Sequence, residues 1–176
     1  MTVTEICTFA CTYLLNKATS FITDSTEGVN WVNEWQEENV DKIKNFNTQT
    51  LSDCTSDTWY SLDSDCAKIY EVRDSNGDLI FDYKTDLGQI LFAYNGTYTV
   101  KYYQMPTAVT DGDDSPDCHA LFHKAIAYWL AYKKMSNGDP TRPDALPFKA
   151  LYEEKMTAVL RNLQKRNRVA RTPLWR

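Results

Sequence analysis

The chain opens on Thr2-Val3-Thr4-Glu5, where the Thr side chain and the Glu three residues later can each accept from the other's free backbone donor. Ile6, Phe9, Ala10, Tyr13 and Leu14 then follow at helical spacing, so a first helix is predicted over about residues 3–16. A polar turn at Asp24-Ser25-Thr26-Glu27 supplies a second start. Beyond it Val29, Val32, Val40 and Ile43 mark one face and Glu34, Glu37, Glu38 and Asp41 the other, which predicts a second helix over about residues 25–45. Trp31 and Trp35 stand four apart on that helix and form a ridge suited to core or subunit packing, ahead of ligand stacking.

From about Leu51 the period shortens, and five β-rich runs appear at residues 58–62, 67–73, 79–83, 89–94 and 97–103. Ser75-Asn76-Gly77-Asp78 and Asn95-Gly96 are tight-turn signals, because Asn and Gly accept the positive φ that primed turns require. Consecutive antiparallel strands are therefore expected. The stretch from Tyr94 to Tyr103 holds four tyrosines, Tyr94, Tyr98, Tyr102 and Tyr103, which suits a strand pair exposed on one face that meets a partner or projects from the body.

Helical spacing returns after Asp114-Ser115-Pro116-Asp117, a start signal with Ser at the cap, Pro at the first position and Asp in the first turn. The helix it predicts runs to about residue 135. Leu121, Phe122, Ala125, Ile126, Trp129, Leu130 and Tyr132 make it apolar over most of its circumference, as befits a central helix. Pro140, Pro143 and Pro147 separate it from a fourth helix over about 144–168, whose apolar face is Phe148, Leu151, Tyr152, Met156, Val159, Leu160 and Leu163. The fold expected is α+β but mainly helical. It is a bundle of about four helices forming one domain over 1–168, with an antiparallel β insertion at about 58–103 between the second and third helices. An extended C-terminal arm over 169–176 follows, because Pro173 forbids further helix.

Composition narrows the class. With 176 residues, 43% apolar and 24% charged, the chain has the profile of one globular domain. No run approaches the ~18 to 20 uncharged apolar residues of a membrane span. Glu5 also stands where a signal peptide places Lys or Arg, so neither membrane insertion nor Sec export is expected. Cys7, Cys11, Cys54, Cys66 and Cys118 form an odd set without a CxxC pair, which argues for a reducing compartment over a zinc knuckle or disulfide framework. The net charge of −5 hides a division: residues 1–118 hold 20 acids against 7 bases, residues 119–176 hold 4 against 12. Arg161, Lys165, Arg166, Arg168, Arg171 and Arg176 face no acid within the last sixteen residues. A helix C-terminus accounts for the first few of these and not for Arg171 or Arg176.

No catalytic constellation is legible. His119 and His123 have the i, i+4 spacing of a metal clamp, but without HExxH they read as partly buried helix histidines. Asp111-Gly112-Asp113-Asp114 lacks the Glu that closes a calcium loop. Neither a phosphate loop nor a nucleophile elbow is present, so no enzyme activity, metal or cofactor is expected.

In order and spacing, four segments resemble the head-to-tail connector adaptor proteins of tailed bacteriophages. They are Trp31-Val32-Asn33-Glu34-Trp35; Trp59-Tyr60-Ser61-Leu62-Asp63-Ser64-Asp65-Cys66; Ser115-Pro116-Asp117-Cys118-His119-Ala120-Leu121; and Gly138-Asp139-Pro140 followed by Phe148-Lys149-Ala150-Leu151-Tyr152-Glu153-Glu154-Lys155-Met156. Ser64 departs from the Pro usual in the second segment. The resemblance implies a virion protein of the neck, assembled in the bacterial host cytoplasm. It would form a homo-oligomeric ring, commonly a dodecamer, under the portal protein, bear the next neck or tail protein, and extend a channel that genomic double-stranded DNA crosses without sequence-specific binding. It further implies that the C-terminal arm docks on the portal, with Leu174 and Trp175 as anchors and Arg168, Arg171, Pro173 and Arg176 around them. Trp31, Trp35, Tyr98, Tyr102 and Tyr103 are the candidate subunit or partner contacts. Two other readings stand beside it. One is a nucleic-acid-binding accessory protein using residues 161–176 on phosphates; the other is a metal-dependent hydrolase built on His119, His123 and Asp117.

Overall fold

The computed structural model describes residues 1–169, with side chains to Lys165. The chain divides into two compact units. One combines Met1–Glu38 with the chain from Thr107 onward, and the other is Asn39–Pro106.

In the first unit the Thr2 hydroxyl accepts from the Glu5 amide at 3.2 Å and the Glu5 carboxylate accepts from the Thr2 amide at 3.0 Å. Helix α1 (Val3–Phe9) therefore starts where the capping box places it, and a π-helical turn at Ala10–Leu14 continues it. The second predicted helix comes in pieces: a π-helical turn at Asp24–Gly28, α2 (Val29–Glu38), a break at Asn39, then α3 (Val40–Ile43), which belongs to the other unit. Asn39 leaves the helical region at φ −116° and ψ 20°, and Lys44 ends α3 in the left-handed region.

Helix α4 (His123–Ser136) is the core of this unit. Ala125, Ile126, Ala127, Leu130 and Ala131 are wholly buried, and α1, α2 and α5 (Leu146–Val169) pack around them. Val3, Ile6, Val32, Trp35, Met156 and Val159 supply the facing surfaces. The helix begins later than the sequence predicts. The Asp117 amide donates to Gln36 Oε1 at 2.6 Å and the Asp117 carboxylate accepts from the Thr107 amide at 2.9 Å, so this residue pins the preceding loop instead of starting a helix. His119 takes over as cap, its Nδ1 accepting from the Leu121 amide at 3.1 Å ahead of a 3₁₀ turn at Ala120–Phe122.

The second unit is a two-sheet sandwich. Strands β1 (Phe46–Cys54), β6 (Gly96–Gln104) and β3 (Cys66–Asp74) form one antiparallel sheet in the order β1-β6-β3. Strands β2 (Trp59–Ser61), β5 (Gln89–Phe92) and β4 (Tyr83–Asp86) form the other in the order β2-β5-β4. Val72, Ile90, Phe92, Tyr98, Val100 and Tyr102 fill the space between them. The Ser75 to Asp78 turn forms as predicted, with the Gly77 amide on the Asp74 carbonyl and Gly77 at φ 86°. Asn95-Gly96 does not close a hairpin. The strands on either side of it lie in different sheets, so the chain switches sheets there.

The expected mainly helical bundle with one β insertion is therefore corrected: the described residues form an α+β structure with five α-helices and two three-stranded antiparallel sheets, the sheets making a compact unit of their own. Strand β1 accounts for much of the error. Its register pairs Asn47 with Tyr102, Gln49 with Val100 and Leu51 with Tyr98, so amides occupy core-facing positions while Phe46 points outward. Gln49 satisfies itself by donating to the Ser61 carbonyl at 3.1 Å and accepting from the Asp63 amide at 3.0 Å. A strand whose inner face is polar carries no hydrophobic alternation to read.

Candidate interaction surfaces

The helical unit carries a cleft of about 440 Å³ along α2 and the C-terminal half of α4, walled by Trp31, Trp129 and Tyr132. Two ion pairs tie its sides together, Lys133 to Glu34 at 2.6 Å and Lys134 to Glu27 at 2.8 Å. Burial pushes the Glu27 carboxyl up, but the Lys134 ammonium and the Thr23 amide together outweigh it and hold it below the usual carboxylate range. The Trp129 indole N–H is buried with no hydrogen-bond partner among the described residues. Trp31 lines this cleft half-buried. Trp35, one turn on, is fully buried and donates its indole N–H to the Tyr152 hydroxyl at 3.0 Å. The ridge read from the sequence is thus split between a surface residue and a packing residue.

The tyrosines are split likewise. Tyr98, Val100 and Tyr102 share the inner side of β6, where Tyr98 stacks on Phe92 with centroids 3.9 Å apart. Tyr102 is held by both Asp63, at 2.9 Å, and Asp65, at 2.8 Å. Burial raises the Tyr102 hydroxyl pKa, and the two carboxylates raise it further. These two rings are interior, and the exposed strand pair expected here is corrected. Tyr103 lies on the outer side of β6, half-buried against Phe46 and Tyr70. Phe46 and Tyr70 themselves gave no signal in the sequence. On the far side of the sandwich Phe81, Leu87 and Tyr94 stand exposed. Leu87 occupies the β4–β5 turn at φ 43°, followed by Gly88 at φ 75°.

The titratable groups offer little chemistry. No cluster of three metal-ligating side chains occurs among the described residues. His119 is exposed at its cap, whereas His123 is buried, with Nδ1 accepting from the Met1 ammonium at 2.8 Å and Nε2 without a hydrogen-bond partner among the described residues. Burial lowers the His123 pKa, and the Met1 and His119 charges lower it further. Burial pushes the thiols of Cys7 and Cys118 up to about 12, so both stay protonated and inert. No helix among the described residues is long and apolar enough to cross a membrane.

The proposed docking residues Arg171, Pro173, Leu174, Trp175 and Arg176 lie outside the described residues, and Arg168 is described only as part of the α5 backbone. Comparison with known families gives a match to the model described as SU10 adaptor protein over residues 82–174, more than half of the chain. The matched stretch runs from β4 through α5 and takes in two of the four resembling segments, those at 115–121 and 138–156; the Trp31 and Trp59 segments precede it. No curated protein sequence matches the chain.

Proposed function

The chain belongs to the SU10 adaptor protein family and is a phage structural adaptor-type protein, and from that premise we propose that it is the head-to-tail adaptor docking under the portal. In this reading identical copies form a ring that extends the DNA channel and offers a platform for tail assembly, without catalysis or cofactor. The family match carries the proposal, and the charge division fits it. An acidic body repels the phosphates of DNA that must slide, whereas a basic lining would grip them by counterion release. The basic C-terminal segment is left for the portal.

Docking of that segment needs an apolar anchor. Each residue whose backbone is fixed on docking costs ~1 to 2 kcal/mol of entropy, while exposed ion pairs return only ~0 to 1 kcal/mol. Leu174 and Trp175 are the large apolar pair available, and truncating a buried Trp commonly costs 2 kcal/mol or more, roughly. Trp175→Ala, or deletion of residues 172–176, is therefore expected to leave the melting temperature nearly unchanged and to abolish stable attachment to the portal. Negative-stain microscopy of the protein with and without portal tests the ring directly. Normal infectivity after the deletion would remove docking from this segment. Tight, steeply salt-dependent duplex binding by the assembled protein would favour a nucleic-acid-binding role.

A further inference from the structure

The two outer faces of the β sandwich are both aromatic and carry opposite charge. Outside the β1-β6-β3 sheet, Phe46, Tyr70 and Tyr103 pack ring against ring with centroids 5.0 to 5.6 Å apart. Phe46 and Tyr70 nevertheless keep 40% and 52% of their surface exposed. The Lys101 ammonium sits 4.9 Å from the Phe46 ring and 5.3 Å from Tyr70. Lys68 and Arg73 join it on this face, while Glu71 and Asp41, the latter near enough to Tyr103 to add to the rise that burial causes in its hydroxyl pKa, oppose them, a balance of +1. Outside the β2-β5-β4 sheet, Trp59 and Leu91 are cross-strand neighbours, and Phe81 and Tyr94 stand beside Leu91 with 80% and 67% of their surface exposed. Here Asp57, Asp82 and Asp86 face Lys84, a balance of −2.

We infer that neighbouring copies meet by stacking these sandwiches, the basic aromatic face of one copy against the acidic aromatic face of the next. The inference rests on the ring reading above and names its interface. Exposed aromatic area on both sides supplies the drive for association, and charge decides the pairing. A two-fold dimer through either face would set like charges against each other, whereas basic on acidic is complementary. Because the two patches differ, the contact is heterologous. Each copy keeps one face free for the next, so the contact propagates until the rotation closes a ring.

The test reverses each face in the full-length protein. Lys68→Glu with Lys101→Glu turns the basic face to −3, Asp82→Lys with Asp86→Lys turns the acidic face to +2, and the four together exchange the signs of the faces. Association is followed by sedimentation velocity at about 50 and 500 mM salt. If wild type assembles only on portal, the readout is the number of rings on portal in negative stain. Each two-residue variant is expected to weaken association at least about tenfold, and the fourfold variant to restore it. Phe81→Asp, at a position too exposed to matter for folding, is expected to abolish rings without a change in melting temperature. Rings of unchanged stability in every variant would put the interface elsewhere and leave the ring reading standing. Loss in both two-residue variants without rescue in the fourfold one would refute face-to-face pairing. A wild type that forms no ring, alone or on portal, would remove the ring reading and this interface with it.

Discussion

Gly28 passes so close to Cys7 that a β-carbon on it would stand 2.5 Å from Cys7 Sγ and 3.2 Å from Val3 Cγ1. Both neighbours are buried, so nothing can swing aside. Gly28→Ala is expected to destabilise the helical unit by about 1 to 3 kcal/mol through overpacking, although Ala is otherwise the better helix residue. Chemical denaturation of the variant, and of Gly28→Ala with Cys7→Ala, checks the cause. The double variant should recover part of the loss, and no recovery would place the strain elsewhere.

Removing the Tyr102 hydroxyl tests the polar corner of the β unit. Hydrogen bonds to charged groups contribute ~1.5 to 3 kcal/mol, so Tyr102→Phe is expected to cost about that much. The pH dependence has a definite sign. The folded-state pKa lies above the unfolded value of about 10, so this contribution is complete below pH ~10 and is lost as pH rises through the folded value. Tyr102→Phe should lose stability less steeply above pH ~10 than wild type; parallel curves would contradict the buried, carboxylate-held hydroxyl.

Histidine gives the opposite slope. Burial and the neighbouring Met1 and His119 charges depress the folded-state pKa of His123 below the unfolded value of about 6.5. Its contribution is therefore present above pH ~6.5 and falls away as pH drops through the folded value. In His123→Gln the stability lost between about pH 7 and 5 should shrink relative to wild type, as read from denaturation midpoints across that range.

Leu87 holds a left-handed conformation at φ 43° with 96% of its surface exposed. Leucine has no side-chain compensation for that backbone, whereas Asn tolerates it and suits the turn. Leu87→Asn is expected to raise stability by about 0.5 to 1 kcal/mol, measured as an increase in melting temperature. A decrease would mean that Leu87 makes a contact its exposure does not reveal.

The helical unit was legible where signals were local. Thr2 and Glu5 cap each other as the spacing foretold, α4 is the apolar central helix expected, and Met156 and Val159 on the predicted apolar face of α5 are buried. Failures began where a distant partner decided the outcome. Asp117 had the chemistry of a helix start, yet Gln36 and Thr107 claim its amide and carboxylate. Trp31 and Trp35 share a helix, and distant partners, Phe122 against the ring and Tyr152 on the indole N–H, make Trp35 the interior one. In the β unit the alternation Tyr98, Val100, Tyr102 against Thr99, Lys101, Tyr103 was present in the sequence. Its meaning depends on strands that lie elsewhere, and β1 is silent because Asn47 and Gln49 face inward. The paired aromatic faces combine residues from several strands, so no single stretch of sequence announces them.

The strand pairing Phe46 with Tyr103 also bears on the order in which the chain can fold. Residues 39–106 interrupt the helical unit, and the Gln104 amide reaches the Asn45 carbonyl at 2.8 Å. Before β1 meets β6, the 84 residues between the segments that become α2 and α4 form one open tether; once Asn45 meets Gln104 the effective tether is about 26. By loop-closure entropy that shortening is worth roughly 1 kcal/mol to later contact between α2 and α4. Docking of α2 on α4 is thus favoured once the strands pair, and in refolding that contact should strengthen as the slow, non-local step brings the two ends of the insert together.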